Sequence, residues 1–161
     1  MRTEEEIIYV VNKYSDTIVK LALSYVKNIA AAEDIAQDVL FKYMTERKVF
    51  DNSEHEKAWL IRVTINCCKK HLRSFWISRR VDFDFSMLEG TDKNGVGEGI
   101  FEELMKLPEK YRIPMHLFYY EDYSVSEIAA ILGKKENTVL SYLHRGREAL
   151  RKTMVRENGY E

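Results

Sequence analysis

Cys67, Cys68 and His71 are the residues that first invite a chemical reading, since thiols beside an imidazole suggest a metal site. Cys67 and His71 stand four apart and share a helical face, but Cys68 points about 100° away. His55 is the one further ligand nearby, and structural zinc asks for four. The thiols therefore read as packing residues of a core helix, with no metal and no cofactor expected. Adjacent cysteines are poorly placed to bridge each other, and the chain has only these two, which implies a reducing compartment. No glycine-rich phosphate loop, nucleophile elbow or paired-carboxylate signature occurs. The expectation is a protein that is not an enzyme.

The remaining chemistry is that of cations and aromatics. Six Lys/Arg and no acid lie between Arg62 and Arg80, and seven Lys/Arg against two Glu between Lys134 and Arg156. The net charge of −1 hides this segregation, and local fields decide what docks where. The stretch from Glu56 to Arg80 mixes Trp59, Phe75 and Trp76 with these cations, a combination suited to a phosphate backbone and unpaired bases. Trp59 itself reads better as core.

These residues need elements to position them, and the elements read as helices throughout. Ile7, Val11, Tyr14, Ile18, Leu21 and Tyr25 make one stripe of an amphipathic helix over about Glu4 to Val26. A second helix follows the break at Lys27-Asn28 and runs to about Arg47. A third starts near Ser53, where Ser53 and Glu56 form a capping-box pattern, and continues past Leu72. Within the second, Ile35, Ala36, Val39, Leu40 and Tyr43 form the core face, leaving Asp34, Gln37, Asp38 and Phe41 opposite. An aromatic exposed among carboxylates suggests a protein-docking surface.

Between Val81 and Gly99 lie four of the seven glycines and five acids, with little periodicity. This reads as a flexible acidic linker. Beyond it come a short helix from Phe101 to Leu107 and another from Tyr111 to Tyr120. Ser124 and Glu127 then make a second capping box, with Val125, Ile128, Ala129 and Leu132 on the buried side. Gly133 supplies a turn. A last helix, about Glu136 to Arg151, turns Val139, Leu143, Gly146 and Leu150 inward, and Thr138, Ser141, His144, Arg145 and Glu148 outward. Gly146 in its interior suggests close approach to the partner helix. Two helices joined by a glycine turn, the second basic outside, make a helix-turn-helix that can enter the major groove. The fold class is all-α: two small helical domains, 1–80 and 100–161, joined by linker 81–99.

The segments AEDIAQDVLFKYM, AWLIRVTINCCKKHLRS and LPEKYRIPMHLFYYEDYSVSEIAAILG, followed by TVLSYLHRGREALRK, resemble the extracytoplasmic-function (ECF) group of bacterial sigma factors, in that group's order. Larger sigma factors carry a further domain between these two. The resemblance implies that Asp34, Gln37, Asp38 and Phe41 bind core RNA polymerase. It implies that the turn from Lys48 to His55, with Lys48, Phe50, Asp51 and Asn52, captures an extruded base of the −10 promoter element. Arg62, Asn66, Lys69, Lys70 and Arg73 would follow the melted strand. Thr138, Leu140, Ser141, Tyr142, His144, Arg145 and Arg147 would read the −35 DNA. Leu140 and Tyr142 stand where the group usually has Lys or Arg, which implies fewer phosphate contacts. Lys135 stands where an N-cap residue is frequent. The linker's acids would thread toward the RNA exit path. An anti-sigma factor is implied as a further partner.

A leading Met-Arg followed by glutamates is no signal peptide, and no apolar stretch nears the ~20 residues that cross a bilayer, so the expected location is the cytoplasm with no membrane insertion. Two rival readings are a stand-alone helix-turn-helix regulator independent of polymerase, and an interaction module that has lost promoter activity.

Overall fold

The computed structural model describes the backbone of residues 2–78 and 98–158, with side chains for 2–74 and 99–156. The linker expected at 81–99 falls outside the described residues except at its last two. The chain divides into two compact units, 1–91 and 92–161. All regular structure among the described residues is helical.

The N-terminal unit contains α1 (Glu4–Val26), α2 (Ile29–Thr45) and α3 (Ser53–Ser78). Each helix packs on the other two. Thr3 starts α1 with a capping box: its hydroxyl accepts from the Glu6 N–H at 3.2 Å, and the Glu6 carboxylate accepts from the Thr3 N–H at 2.7 Å. That backbone bond, ahead of the Thr3 hydroxyl and Arg2, holds the Glu6 carboxyl below its ordinary value. The buried face of α1 is Val10, Tyr14, Ile18, Leu21 and Tyr25, joined by Ala22, Leu23 and Ser24. Ile7 and Val11, expected in the stripe, are only half-buried, and Val10 takes the central place. Lys27 closes α1 in the left-handed region at φ 57°. Asn28 then caps α2, its side chain accepting from Ala31 N–H at 2.9 Å. The second helix stops at Thr45, two residues short of Arg47.

The start of α3 corrects the sequence reading. Asn52, not Ser53, is the cap: its side chain accepts from the His55 N–H at 2.9 Å, and its carbonyl accepts from the Glu56 N–H at 3.2 Å. Glu56 does not turn back to close a box. Its carboxylate accepts instead from the Tyr43 hydroxyl of α2 at 3.0 Å. A tertiary partner outcompetes the local one.

The C-terminal unit contains α4 (Glu98–Met105), α5 (Glu109–Tyr119), α6 (Val125–Leu132) and α7 (Glu136–Asn158). In it α7 packs on the other three helices. Helix α4 begins three residues before the expected Phe101, taking Gly99 into its first turn. Buried Arg112 donates to the Leu107 carbonyl at 2.6 Å and ties α5 back to the end of α4. The Ser124–Glu127 capping box is present in both directions, at 3.1 and 3.0 Å. Ile128 and Ala129 are buried beneath it, with Val125 and Leu132 half-buried. Gly133 ends α6 at φ 65°, where only glycine is unstrained.

Gly146 is buried where α7 crosses α5. A Cβ there would collide with the Met115 sulfur and stand 3.4 Å from Tyr111 Cβ. Close approach is thus the reason for the glycine, but to α5 and not to α6. Val139 and Leu143 are fully buried on the same side and Leu150 half-buried. Helix α7 also runs seven residues beyond the expected Arg151.

Candidate nucleic-acid and protein interfaces

Helix α2 buries Ala32, Ile35, Ala36, Val39 and Tyr43. The 3.6-residue period then forces Asp34, Gln37, Asp38 and Phe41 together on the opposite side, where all four are exposed. The Phe41 ring is 64 % exposed. Among the described residues no cation pairs with Asp34 or Asp38. An exposed apolar ring on the same strip as two such carboxylates is suited to a basic partner.

The loop from Glu46 to Asn52 joins α2 to α3, and its residues divide by role. Phe50 turns inward: its ring stacks on Tyr43 at 6.5 Å with 10° between planes, and tilts against Trp59 at 5.7 Å. Tyr43 meets Trp59 edge-on at 6.2 Å. Burial and the bond to Glu56 push the Tyr43 hydroxyl up to about 12, so it remains a neutral donor. Asn52 is engaged in capping α3. Lys48 N–H donates to the Glu46 carboxylate at 3.0 Å. Asp51 lies 3.5 Å from the His55 imidazole, both exposed. The loop leaves Arg47, Lys48, Val49, Asp51 and Asn52 exposed, Val49 at 82 %. Sequence reasoning grouped Lys48, Phe50, Asp51 and Asn52 and passed over Val49. The missed signal is the flanking aromatics, which claim Phe50 for themselves.

On α3 the core residues are Leu60, Ile61, Thr64, Ile65 and Cys68. Arg62, Asn66, Lys69, Lys70 and Arg73 follow at spacings of four, three, one and three, and so fall on the other side, all exposed. None forms an ion pair among the described residues. The result is one row of four cations and an amide along roughly three helical turns, open to a phosphate backbone. Trp59 is half-buried in the aromatic cluster, as its core reading anticipated. Cys68 is fully buried, Cys67 and His71 half-buried, and no three metal-binding side chains converge among the described residues.

In the C-terminal unit α6, the Gly133 turn and α7 form the helix-turn-helix. The Lys135 carbonyl accepts from the Val139 N–H at 3.1 Å, so Lys135 occupies the N-cap position with a side chain that cannot accept. Ser141, His144 and Arg145 are exposed on the outer side of α7. Leu140 is exposed on one flank, and Thr138 half-buried on the other. Tyr142 is half-buried, its ring edge-on to Tyr111 at 5.9 Å. Burial raises the Tyr111 hydroxyl, but Arg145 and Lys110 outweigh this and hold it below its ordinary value. Arg147 leans away from Ser141: its guanidinium donates to the Tyr119 hydroxyl at 3.2 Å. The seven residues expected to act together therefore occupy an outer face and two flanks.

One feature has no counterpart in the sequence reading. A groove of about 630 Å³ runs between α4, α5 and the end of α7, lined by Ile100, Leu104, Met115, Leu150, Met154 and Val155, with Arg147 and Arg151 beside them. Ending α7 at Arg151 removed Met154 and Val155, which supply one wall. Leu150 and Met154, four apart, were the available signal.

Residues 10–76 match the family described as Sigma-70 region 2, and residues 98–150 that described as Sigma-70, region 4. The chain is 30 % identical to the ECF RNA polymerase sigma factor SigW of Bacillus subtilis (strain 168), over 90 % of this chain and 87 % of that one. It is 27 % identical to the RNA polymerase sigma factor SigV of the same organism, covering 97 % and 95 %. Among solved structures, the sigma factor RpoE in complex with the anti-sigma factor NepR from Bartonella quintana superposes with a TM-score of 0.73 at 22 % identity, covering 92 % of this chain and 96 % of that one. CnrH in complex with the cytosolic domain of CnrY gives 0.67 at 22 %, over 94 % and 89 %. These two establish likeness of fold.

Proposed function

The chain belongs to the ECF group of sigma-70 factors, and from that premise we propose how its residues divide the work. It binds core RNA polymerase and directs initiation at specific promoters. In our reading domain 1–80 docks on polymerase through Asp34, Gln37, Asp38 and Phe41. Its α3 row, Arg62, Asn66, Lys69, Lys70 and Arg73, follows the melted −10 strand, and the loop carrying Lys48, Phe50, Asp51 and Asn52 reads an extruded base. Domain 100–161 reads the −35 duplex, with Ser141, His144 and Arg145 toward the groove floor, Thr138 and Leu140 bordering it, and Tyr142 and Arg147 supporting from the flanks. The chain acts by binding alone, with no covalent step, and works in the cytoplasm beside polymerase. No helix among the described residues is long and apolar enough to cross a membrane. RpoE and CnrH were each solved with a binding partner, and we assign an anti-sigma partner to this chain as well.

The observation that carries this reading is the one-sided α3 row, four cations without an internal partner. Each interface alone is weak. Tethering both DNA-reading units to one polymerase raises their effective concentration and makes the joint site specific. A stand-alone operator-binding regulator leaves the α2 strip without a use.

The test is gel filtration with purified core polymerase. Wild type co-elutes, and Asp38→Arg elutes free while its helical signal is kept. Wild-type affinity in Asp38→Arg would refute the docking assignment. Run-off transcription separates the degenerate module, which assembles with polymerase yet starts no transcript.

A further inference from the structure

The loop between α2 and α3 is held from outside itself. The Arg2 guanidinium lies 4.6 Å from the Tyr43 ring centroid and 5.1 Å from that of Phe50, so one flat cation covers both stacked rings. Its Nη2 donates to the Lys48 carbonyl at 2.5 Å, and its backbone N–H reaches the Met44 carbonyl at 3.5 Å. No carboxylate forms an ion pair with it among the described residues, and its Nε is buried without a hydrogen-bond partner. The side chain is placed for stacking on the rings and for the Lys48 carbonyl, not for an acid. The other charge near Phe50 is Lys48 Nζ, 5.9 Å from the ring.

With Phe50 turned inward beneath Arg2 and Asn52 capping α3, the exposed Val49 and Asp51 stand on either side of the pinned ring in sequence. An unanchored seven-residue loop could settle into a different register on each base and so accommodate wrong ones. A loop held in one register cannot readjust, and a wrong base then clashes or leaves polar groups unpaired, which widens the affinity gap between bases. We propose that Arg2 is a positioning residue for −10 recognition, clamping Tyr43, Phe50 and the Lys48 carbonyl so that Val49 and Asp51 meet the extruded base in a fixed register. The inference rests on the assignment of this loop to −10 reading made above.

The test uses the full chain with core polymerase and a pool of DNA templates randomised at both the −10 and −35 positions, with the productive templates identified by sequencing their transcripts. Wild type should enrich a preferred base at one or two −10 positions. Arg2→Ala should lower that enrichment on the order of tenfold, the equilibrium weight of one partly desolvated cation–π contact. The −35 enrichment should be unchanged. Arg2→Lys, which keeps the charge but loses the planar fork, should fall between. In a Trp76→Phe background, Trp59 emission should shift to the red in Arg2→Ala as the aromatic cluster opens, with helical circular dichroism retained. Unchanged −10 preference in Arg2→Ala overturns the inference. Equal losses at −10 and −35 also overturn it, because Arg2 would then act through stability alone. Should Arg2→Ala fail to fold, Arg2→Lys decides: wild-type −10 preference there refutes the clamp. A wild-type pool enriched at −35 only would sink the loop assignment itself, and the inference with it.

Discussion

Tyr43 donates to Glu56 from within the aromatic cluster, and its hydroxyl is pushed up to about 12 against an ordinary value of 10.0. Above pH 10 an unfolded tyrosine ionises and gains stability that the folded one is denied. The Tyr43 contribution to folding is therefore fully present below pH 10 and is lost as pH rises toward 12. Denaturant titrations of wild type and Tyr43→Phe should differ by a constant amount up to pH 10 and converge above it; a gap constant to pH 12 would contradict this. Gly146 makes the opposite kind of demand, since α7 has no room for a side chain against Met115 and Tyr111. Gly146→Leu should destabilise the C-terminal unit by about 1–3 kcal/mol despite better helix propensity, as measured by urea unfolding. Phe41 is the residue where folding and the proposed docking part. Phe41→Ala should leave stability within about 0.5 kcal/mol of wild type yet weaken core polymerase binding by roughly thirtyfold, the scale of an interface hot spot.

Helices report their ends through caps, and here three S/T-x-x-E patterns behave differently. Ser124 and Glu127 close a box as read, because neither has a competing partner, and Ser124→Ala should cost about 1 kcal/mol in the stability of the C-terminal unit. Ser53 and Glu56 carry the same pattern and do not close it, since Asn52 caps one residue earlier and Tyr43 claims the carboxylate. Thr3 and Glu6 do close one, unremarked in the sequence because a run of glutamates offers several registers. Helix periodicity was legible nearly everywhere: the bounds of α1, the outer strip of α2 and the row on α3 all follow from counting by 3.6. Val10 and the tail of α7 were legible in principle and misassigned by choosing a neighbouring register and an early stop. The engagement of Phe50 and Arg147 by Tyr43 and Tyr119 was not legible, because those contacts depend on how helices and loops pack together, whereas the Asn52 cap is a local bond to His55 and was legible in principle. The α3 row yields a check of its own. Replacing Lys69 by Ala should reduce the salt slope for single-stranded −10 DNA by about 0.7, and an unchanged slope would take Lys69 off the phosphate path.

At the scale of the molecule, a net charge of −1 conceals two cationic faces, one on each unit. The chain joins them within one polypeptide, so the second contact with a promoter is intramolecular once the first is made. If residues 81–97 serve as a plain tether, inserting 17 Gly/Ser residues after Gly90 doubles its length and should lower affinity for a two-element promoter about threefold through effective concentration. Affinity for a −35 fragment alone should not change. A much larger loss would mean that the segment does more than connect.

Helix α7 spans 23 residues without a break. Its first half carries Ser141 and His144, and its last turns carry Met154 and Val155 along the apolar groove. About 20 Å of rigid rod separates Met154 from Ser141. A body seated in the groove that levered the far end by about 5° would swing Ser141 and His144 by nearly 2 Å, further than a hydrogen bond can stretch. What fills that groove and what the opposite end can grip are thus mechanically one question, answered by a single stiff element.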